Sequence, residues 1–573
     1  MRKIISYIKP YFGMMAIGLT VKMTATFAEL AIPRIMTYII DIIVPRAEVR
    51  FIVIWGLVML ACAVAAVILN IIANRRAAKV ARNVAEAVRR DLFRKTMHLS
   101  AAQSDKFTVP SLEARLTTDT YNVHHFINIM QRMGVRAPLM LIGGITITLT
   151  IDPVLTLVMV CMLPLIALTV YFVSKRGVPL YVSVQKKVDR MVGVVREDAQ
   201  GIRVIKALSK RRHEQERYDA VNEELASTEK KAGVTMALSN PLMTLFMNLG
   251  LVGVIIVGAF RVNSGISTAG NILAFIQYFN LISMAMMSVT RMFVMYTKGS
   301  ASAKRITEVI ESGEDLTVRD DIEPEDAKDS FIEFRDVSFS YGKTKNDLSN
   351  ISFKVRQGGS LGIIGATGSG KTTLISLLMR FYDVDSGVIL IDGKDVRSMR
   401  PGELHSKFGV ALQNDFLYNA TIAENIDFGR NLSEEELIRA AKMAQAHDFI
   451  SAFDDGYSHE IASKGTNLSG GQKQRLLISR ALAGRPEILI LDDSSSALDY
   501  KTDSALRRAI AESDLSTTMI VIAQRVSSVM NMDTIIVLDE GQIIGMGTHQ
   551  ELIEGCEIYR EISESQLGGA ILE

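Results

Sequence analysis

The first half of the chain consists of long apolar segments, whereas the second half alternates short apolar runs with polar ones. A helix needs roughly 20 apolar residues to cross about 30 Å of hydrocarbon. Six segments, most of which reach this length, lie at about Tyr11–Val44, Phe51–Ala73, Ala137–Ile151, Pro153–Val173, Val234–Phe260 and Asn271–Tyr296. We therefore predict an all-α transmembrane domain of six helices over residues 1–310.

The connections between these segments alternate between very short and very long. The long ones, at about Asn74–Arg136 and Lys175–Gly233, mix charges with Val, Ala and Leu and contain few Gly or Pro, which predicts helices that continue beyond the membrane. Residues 75–106 carry nine Lys or Arg against three acids. By the positive-inside rule, we expect the long extensions and both termini of this multi-pass protein on the cytoplasmic side of the cell (inner) membrane.

Ionisable residues interrupt the first apolar segment. Lys22 and Glu29 are seven residues apart and so share one helix face, and Arg34 and Asp41 follow. Charges in lipid are costly and usually face a partner or a wet cavity. Two interpretations stay open: a polar stripe along a translocation path, or an ion pair that only positions helices. The five methionines of the sixth segment likewise suit either varied apolar ligands or ordinary packing.

Composition agrees with a membrane part joined to a water-soluble part. Apolar residues make up 48% of the 573 residues and charged residues 22%, and the mean hydropathy is +0.22. The net charge of +2 gives no sign of a nucleic-acid partner, and we expect none. The three cysteines form no CxxC pair, which argues against a disulfide framework or a zinc site. An acidic stretch without apolar periodicity at residues 311–330 predicts a solvated linker.

From residue 331 to 573, alternating strand and helix patterns predict an α/β domain with a largely parallel sheet. The apolar run Ser360–Ile364 leads into Gly365–Thr373, which fits GxxxxGK[ST] at the strand–helix junction that this motif requires. Its glycines let backbone N–H groups surround phosphates, and Lys371 reaches the β- and γ-phosphates. The motif predicts a P-loop ATPase.

A second apolar run, Ile488–Leu491, leads to Asp492, the Walker-B acid expected to hold Mg²⁺ through water. The hydroxyl of Thr372 is a further candidate ligand of Mg²⁺. Between the two motifs, the string LSGGQ at residues 468–472 resembles the signature of ABC ATPases. The whole chain resembles a type IV ABC exporter half-transporter, a family in which two chains hold ATP between the Walker A motif of one and the signature of the other.

The resemblance assigns roles to further residues. It implies that Tyr341 stacks on adenine, that Gln413 reaches Mg²⁺ and the attacking water, and that Ser496–Asp499 is the D-loop. It also implies short coupling helices near Ser111–Thr117 and Ala207–Tyr218. The predicted nucleotide-binding residues are Tyr341, Gly365, Thr367, Gly368, Ser369, Gly370, Lys371, Thr372, Thr373, Ser469, Gly470, Gly471 and Gln472, and the predicted Mg²⁺ ligands are Thr372, Gln413 and Asp492.

Two positions on opposite sides of the predicted γ-phosphate depart from the family's pattern. The hydrolytic subunits have a Glu after the Walker-B acid, but this chain has Asp493, whose carboxylate is set back by about 1.5 Å, whereas a general base must lie within about 3 Å of its proton. Where the family usually has His, Gln524 donates a hydrogen bond but cannot become a cation. Asp493, Gln524 and Gln413 are therefore predicted catalytic positions in altered or supporting roles. Drift in a working enzyme is the alternative interpretation.

These features predict an ATP-driven exporter of hydrophobic or amphipathic compounds, of multidrug or lipid type, with ATP and Mg²⁺ as cofactors. The chain resembles the degenerate-site subunit of a heterodimeric bacterial multidrug exporter. That resemblance implies a slow nucleotide site on this chain's Walker motifs, and a signature that completes the active site of a homologous partner subunit. Two alternatives stay open: an ATP-gated regulator or channel, and an importer on the exporter fold.

Overall fold

The computed structural model describes residues 2–325, 330–342, 346–413, 416–494, 498–512 and 516–567. It divides into two compact units, Met1–His98 with Phe107–Ser312, and Leu99–Lys106 with Gly313–Glu573. Three predicted features lie in part outside the described residues: the linker at 326–329, the D-loop at Ser496 and Ala497, and the end of the ATPase domain at 568–573.

The first unit is built from long helices. Five helical stretches in the described residues are long and apolar enough to cross a membrane: Val49–Met97, Val109–Ile151, Pro153–Gln200, Arg211–Asn263 and Ala269–Ile310. The first predicted segment also folds as a helix, Phe12–Tyr38, but it is not among these five. The helices from the N-terminus are α1 Arg2–Ile8, α2 Phe12–Tyr38, α3 Val49–Met97, α4 Ala101–Phe107, α5 Val109–Ala114, α6 Thr120–Met133, α7 Arg136–Ile151, α8 Pro153–Gln200, α9 Ile202–Ala207, α10 Arg211–Ala237, α11 Ser239–Asn263 and α12 Ala269–Ile310.

Two of these helices are much longer than a membrane is thick. Helix α3 has 49 residues and α8 has 48. At 1.5 Å per residue they extend for about 70 Å, more than twice the hydrocarbon thickness of about 30 Å. The continuation of helices beyond a bilayer, expected from the low Gly and Pro content of the long connections, is therefore present in the fold.

The second unit contains two sheets. The order of the larger sheet is β10-β9-β3-β8-β7-β6, in which β9, β3, β8, β7 and β6 are parallel and β10 pairs antiparallel with β9. The smaller sheet, β2-β1-β4-β5, is antiparallel. The predicted α/β fold with a largely parallel sheet is thus confirmed. The strands are β1 Ile332–Phe339, β2 Leu348–Val355, β3 Ser360–Gly365, β4 Ser386–Ile391, β5 Lys394–Asp395, β6 Phe408–Ala411, β7 Ile488–Asp492, β8 Thr518–Ile522, β9 Thr534–Asp539 and β10 Gln542–Gly547.

Both faces of the parallel sheet are buried. Successive side chains of a strand point to opposite faces, so Leu361 and Ile363 of β3 join one apolar cluster while Ile364 joins the other. Such two-sided burial explains why these strands read as continuous apolar runs in the sequence. The helices of this unit are α13 Lys371–Leu378, α14 Pro401–Ser406, α15 Ile422–Asp427, α16 Glu434–Met443, α17 His447–Ser451, α18 Gly470–Ala483, α19 Tyr500–Ala511, α20 His549–Gly555 and α21 Glu557–Leu567.

Much of the acidic stretch between the two predicted domains is not a solvated tether. Residues 313–325 belong to the second unit. The backbone N–H of Arg319 donates to the carbonyl of Arg397 at 2.9 Å, and the guanidinium of Arg380 donates to the carbonyl of Thr317 at 2.7 Å. The tether interpretation is therefore wrong for this part, because its backbone groups, which the charge pattern does not reveal, bond to the ATPase unit.

In the first long connection, the short helix that belongs mostly to the second unit lies earlier in the sequence than predicted. Residues 99–106, which include most of α4, belong to that unit, whereas the predicted range Ser111–Thr117 belongs to the first. The hydroxyl of Tyr382 donates to Asp105 Oδ2 at 2.6 Å. In the second long connection the short helix is Ile202–Ala207, which ends at the first residue of the predicted range.

Helix α8 begins with a buried carboxylate that has two roles. Asp152 Oδ1 accepts hydrogen bonds from the backbone N–H groups of Val154 and Leu155 at 3.0 and 3.3 Å. Its Oδ2 accepts from Arg261 Nε of α11 at 2.7 Å, and the side chain is 2% exposed. One aspartate therefore caps α8 and joins it to α11.

We expect Asp152→Ala to lower the free energy of unfolding by about 2 kcal/mol or more, because about 1 kcal/mol comes from the lost cap and Arg261 also loses its carboxylate. Asp152→Asn keeps a capping oxygen and should lie between the two. The thermal unfolding midpoint of the purified chain measures this order. Asp189→Ala, an exposed change on the same helix, is the control, and equal midpoints for Asp152→Ala and Asp189→Ala would contradict the assignment.

Candidate nucleotide-binding site

The candidate site lies at the carboxyl end of the parallel sheet. The P-loop follows β3, Gln413 follows β6, Asp492 ends β7, and Gln524 follows β8. Carboxyl ends of parallel strands meet at one edge of a sheet, which is where ligands of such sheets bind. A cavity of about 540 Å³ opens there. The predicted site residues that line it are Thr367, Gly368, Gly370, Lys371, Thr372, Thr373, Gln413, Asp492, Asp493 and Gln524.

The P-loop holds a backbone conformation that requires glycine. Gly368 and Gly370 have φ values of +86° and +101°, in the left-handed region. A Cβ atom on Gly365 would lie 2.2 Å from the carbonyl oxygen of Leu538, so this residue allows the loop to turn close to β9. The buried Oγ of Ser369 has no hydrogen-bond partner in the described residues. The loop therefore forms an open backbone cradle at the start of α13, where phosphate binding is favoured.

Lys371 is the cation of this cavity. Its Nζ donates to the carbonyl oxygens of Gly365 and Ala366 at 2.8 and 2.7 Å. Burial lowers the pKa of Lys371, and the nearby carboxylates of Asp492 and Asp493 act against this shift. An ammonium with two neutral acceptors keeps a third N–H for an anion, which matches the predicted role at a phosphate.

Asp492 is a buried carboxylate at the end of β7, with 3% of its surface exposed. Burial raises the pKa of Asp492, the charge of Asp493 adds to this effect, and Lys371 opposes it. A raised pKa means that the ionised form is disfavoured here, so a cation bound at this carboxylate stabilises that form.

The donor set fits Mg²⁺ held together with a nucleotide. No group of three His, Cys, Asp or Glu suited to a metal occurs among the described residues. Asp492, the hydroxyl of Thr372 and the amide of Gln413 line the same cavity and supply hard oxygen donors. Mg²⁺ is usually bound through one or two carboxylates plus water and phosphate oxygens, so this incomplete set suits it. Bound there, the metal would neutralise negative charge on the phosphates.

One oxygen of Asp493 is shared by two glutamines. Oδ2 accepts hydrogen bonds from Gln413 Nε2 and from Gln524 Nε2, each at 3.2 Å. A carboxylate oxygen has two lone pairs, so these two amides occupy both. Asp493 itself has a φ of +48°, a conformation in which Asp and Asn are enriched, and its N–H donates to Ile522. Gln413, Asp493 and Gln524 are thus brought together, and the two amides are directed at the carboxylate.

The signature residues do not line this cavity. Ser469 caps α18: its Oγ accepts from the N–H of Gln472 at 3.3 Å, and its N–H donates to Gln472 Oε1 at 2.9 Å. Ser469 and Gly470 are exposed, and a Cβ on Gly470 would meet no atom within 4 Å. The N-terminus of this 14-residue helix is therefore fixed in shape and open to a ligand from outside the chain.

Tyr341 also lies outside the residues that line the cavity. Its ring is 50% exposed and contacts the rings of Phe339 and Tyr382, with centroid separations of 4.9 and 5.0 Å. Its backbone N–H donates to Asp347 Oδ2 at 2.8 Å, and Asp347 does line the cavity. The ring is thus half-exposed and held by an aromatic cluster, while its backbone is bonded to a residue of the cavity wall.

Sequence reasoning missed one wall of the cavity. Asn346 and Asp347 before β2, and Glu540 and Gly541 in the turn between β9 and β10, all line it. The N–H of Gly541 donates to the carbonyl of Ser369 at 3.2 Å, so this turn supports the P-loop. The Glu-Gly pair after an apolar run signals a turn, but nothing in the local sequence places it against the P-loop.

We expect Lys371→Met to weaken ATP binding by about tenfold or more, because a hydrogen bond to a charged group contributes about 1.5–3 kcal/mol. The dissociation constant of a fluorescent ATP analogue, measured on the purified chain, checks this. Lys354→Met, at an exposed lysine of β2 outside the cavity, should leave it unchanged. Equal affinities for the two variants would exclude Lys371 from the site.

Comparison with known proteins agrees with this geometry. Residues 15–286 match the ABC transporter transmembrane region, and residues 348–496 match the ABC transporter domain. The uncharacterised ABC transporter ATP-binding protein YfiB of Bacillus subtilis is 35% identical over 570 residues, 99% of each chain. The fatty acid ABC transporter ATP-binding/permease protein of Mycobacterium bovis is 31% identical over 482 residues, 83% of this chain and 76% of its own length.

The fold is that of a solved exporter. The structure of a bacterial Atm1-family ABC exporter with ATP bound superposes with a TM-score of 0.82 at 22% identity, covering 97% of this chain and 98% of that one. The matched ATPase domain accounts for a cavity suited to ATP, and the matched transmembrane region accounts for the long apolar helices. With a transmembrane region, an ATPase domain and end-to-end similarity to YfiB, this chain belongs to the ABC transporter family.

Proposed function

We propose that this chain is the slow-site subunit of a heterodimeric, ATP-driven exporter of hydrophobic or amphipathic compounds. The observation that carries the proposal is the shared Oδ2 of Asp493, which accepts from both Gln413 and Gln524. A general base needs a free lone pair within hydrogen-bond reach of the attacking water. Here both lone pairs of Oδ2 are directed at amides, so at most the other oxygen of Asp493 can serve a water, and the side chain is one methylene shorter than Glu.

Gln524 adds a second impairment on the same side of the cavity. Its Nε2 is engaged with Asp493, and a neutral amide brings no positive charge to the phosphates. Phosphoryl transfer is accelerated by positioned cations at the oxygens that gain charge. The binding residues remain: the P-loop glycines, Lys371, Thr372 and Asp492 all line the cavity or shape it. The site should therefore hold ATP and Mg²⁺ but cleave ATP slowly.

The exposed signature supports a role in a partner's site. Ser469 and Gly470 lie at an ordered, open helix N-terminus and not in this chain's own cavity. A homodimer would pair two sites that both carry Asp493 and Gln524. A homologous partner subunit with Glu and His at these positions would give one competent site, completed by this chain's signature.

The membrane half supports transport of apolar compounds across the bilayer. We place the termini and the long helical extensions on the cytoplasmic side, because positive charges cluster directly after the apolar stretch of α3. The relative named as a fatty acid transporter favours the lipid type of substrate within the proposed class. Export is the direction favoured by the fold of the solved exporter.

The test restores the missing groups. Asp493→Glu together with Gln524→His should raise the ATPase rate of dimers formed by this chain alone by on the order of 100-fold, because a misplacement of a catalytic group by about 1 Å lowers the rate by about that factor. The rate of phosphate release from the purified chain in lipid nanodiscs measures it. Asp454→Glu with Gln542→His makes the same chemical changes at exposed positions and should have no effect.

Two outcomes would contradict this proposal. One is a fast ATPase in the unaltered chain alone that Asp493→Asn abolishes, because Asp493 would then be a working base. The other is a repaired variant that binds ATP and forms a dimer but stays slow, because the impairment would then lie elsewhere than at Asp493 and Gln524.

A further inference from the structure

A second cavity, of about 340 Å³, lies within the helical unit between α2, α3, α6, α7 and α12. Its walls differ in character. One side carries the cations Lys22, Arg132 and Arg136. The other side is apolar, formed by Met140, Leu281, Met284, Ala285 and Met287. The cavity is therefore amphipathic, with its positive groups on one side.

Lys22 is the buried member of the cationic side, with 4% of its surface exposed. Its Nζ donates to the amide oxygens of Asn70 at 2.5 Å and Asn74 at 3.2 Å. Both partners are neutral, and neither Lys22 nor Arg132 has a carboxylate within ion-pair distance in the described residues. A buried ammonium without an opposite charge is costly, and a bound anion would offset that cost.

The nearest carboxylate is already engaged. Glu29 Oε2 pairs with Arg136 at 2.9 Å, and Glu29 Oε1 accepts from Asn70 Nδ2 at 2.8 Å. Within the described ranges, the hydrogen bond of Arg132 Nε goes to a neutral amide, Asn74 Oδ1, at 3.2 Å. The ion pair of the first apolar segment therefore exists, but with Arg136 and not with Lys22. It neutralises one of the three cations and leaves two positive groups at the cavity.

The position of the cavity along α3 fits an amphiphile. Asn70 and Asn74 lie where the apolar stretch of α3 ends and Arg75 and Arg76 begin. This is the level at which lipid head groups meet hydrocarbon, where long basic side chains and amphipathic molecules are both stable. An anionic head group at Lys22 and Arg132 would leave its tail along the methionine side of α12. Flexible thioethers accommodate tails of differing shape.

We propose that this cavity binds amphiphiles with one anionic head group, a carboxylate or a phosphate, and an apolar tail. This inference rests on the proposed transport function, because it names the class of substrate for it. It combines the two interpretations of the charged first segment. Glu29 with Arg136 positions helices, whereas Lys22 and Arg132 face the ligand.

The test is equilibrium binding of radiolabelled dodecanoate to the full chain in phosphatidylcholine nanodiscs, without ATP. Dodecyl phosphate should compete, whereas dodecanol and dodecyltrimethylammonium should compete about tenfold less well or worse. Lys22→Gln and Arg132→Gln should each weaken dodecanoate binding by about tenfold. Glu29→Gln should strengthen it severalfold, because Arg136 is then released toward the cavity. A purely structural cluster would not give changes of opposite sign.

Arg34→Gln is the matched control, because Arg34 lies on the same helix but lines a different cavity, beside Trp55. It should leave dodecanoate binding unchanged. Nanodiscs that contain phosphatidylglycerol separate two sources of the ligand: loss of dodecanoate binding there identifies a lipid head group, and retained binding identifies a free amphiphile. Both results support a ligand with an anionic head group.

Equal binding of the neutral, cationic and anionic probes would overturn the inference. So would unchanged dodecanoate binding in both Lys22→Gln and Arg132→Gln. Arg132 is exposed, so its variant remains informative if the buried Lys22 variant fails to fold. The binding assay contains no ATP and needs no partner subunit. Its failure would therefore not contradict the slow-site proposal. Conversely, fast ATP hydrolysis by the unaltered chain would not contradict a positive binding result.

Discussion

The hydrogen bonds to Asp493 Oδ2 connect three strand ends of the nucleotide-binding unit. Gln413 follows β6, Asp493 follows β7 and Gln524 follows β8. These are neighbouring parallel strands, so their carboxyl ends lie side by side and a single carboxylate oxygen reaches both amides. The same contact that joins the strand ends also directs the carboxylate and both amides at one another. One acceptor atom therefore links three strand ends at the edge of the sheet where the cavity opens.

In the helical unit, buried charges are paired with opposite charges close by. Asp152 is paired with Arg261, and Asp119 with Arg305. These pairs join residues far apart in sequence and fix the helices against each other. Lys22 departs from this pattern, since its partners are amide oxygens. Function is expected at residues of this kind, because their burial is costly in free energy and does not in itself stabilise the fold.

Much of this architecture follows from local sequence. The length of the apolar segments predicts the long helices. The P-loop and the Walker-B acid are predicted from motifs, because phosphate and Mg²⁺ binding requires these residue types at these places. What the sequence leaves open depends on contacts between distant segments. The partner of Glu29 is Arg136, more than 100 residues away, and the bonds between Gln524 and Asp493 require β7 beside β8. The docking of residues 313–325 was missed because it uses backbone groups, which charge patterning does not describe.

The two longest helices differ in stiffness. Helix α3 has no proline over its 49 residues, whereas α8 contains Pro164 and Pro179. A proline removes a backbone hydrogen bond and lets a helix bend. A straight rod of about 70 Å that tilts by about 5° moves its far end by about 6 Å. Helix α3 should therefore carry a displacement along its whole length, whereas α8 can bend at its two prolines and so absorb or redirect the same displacement.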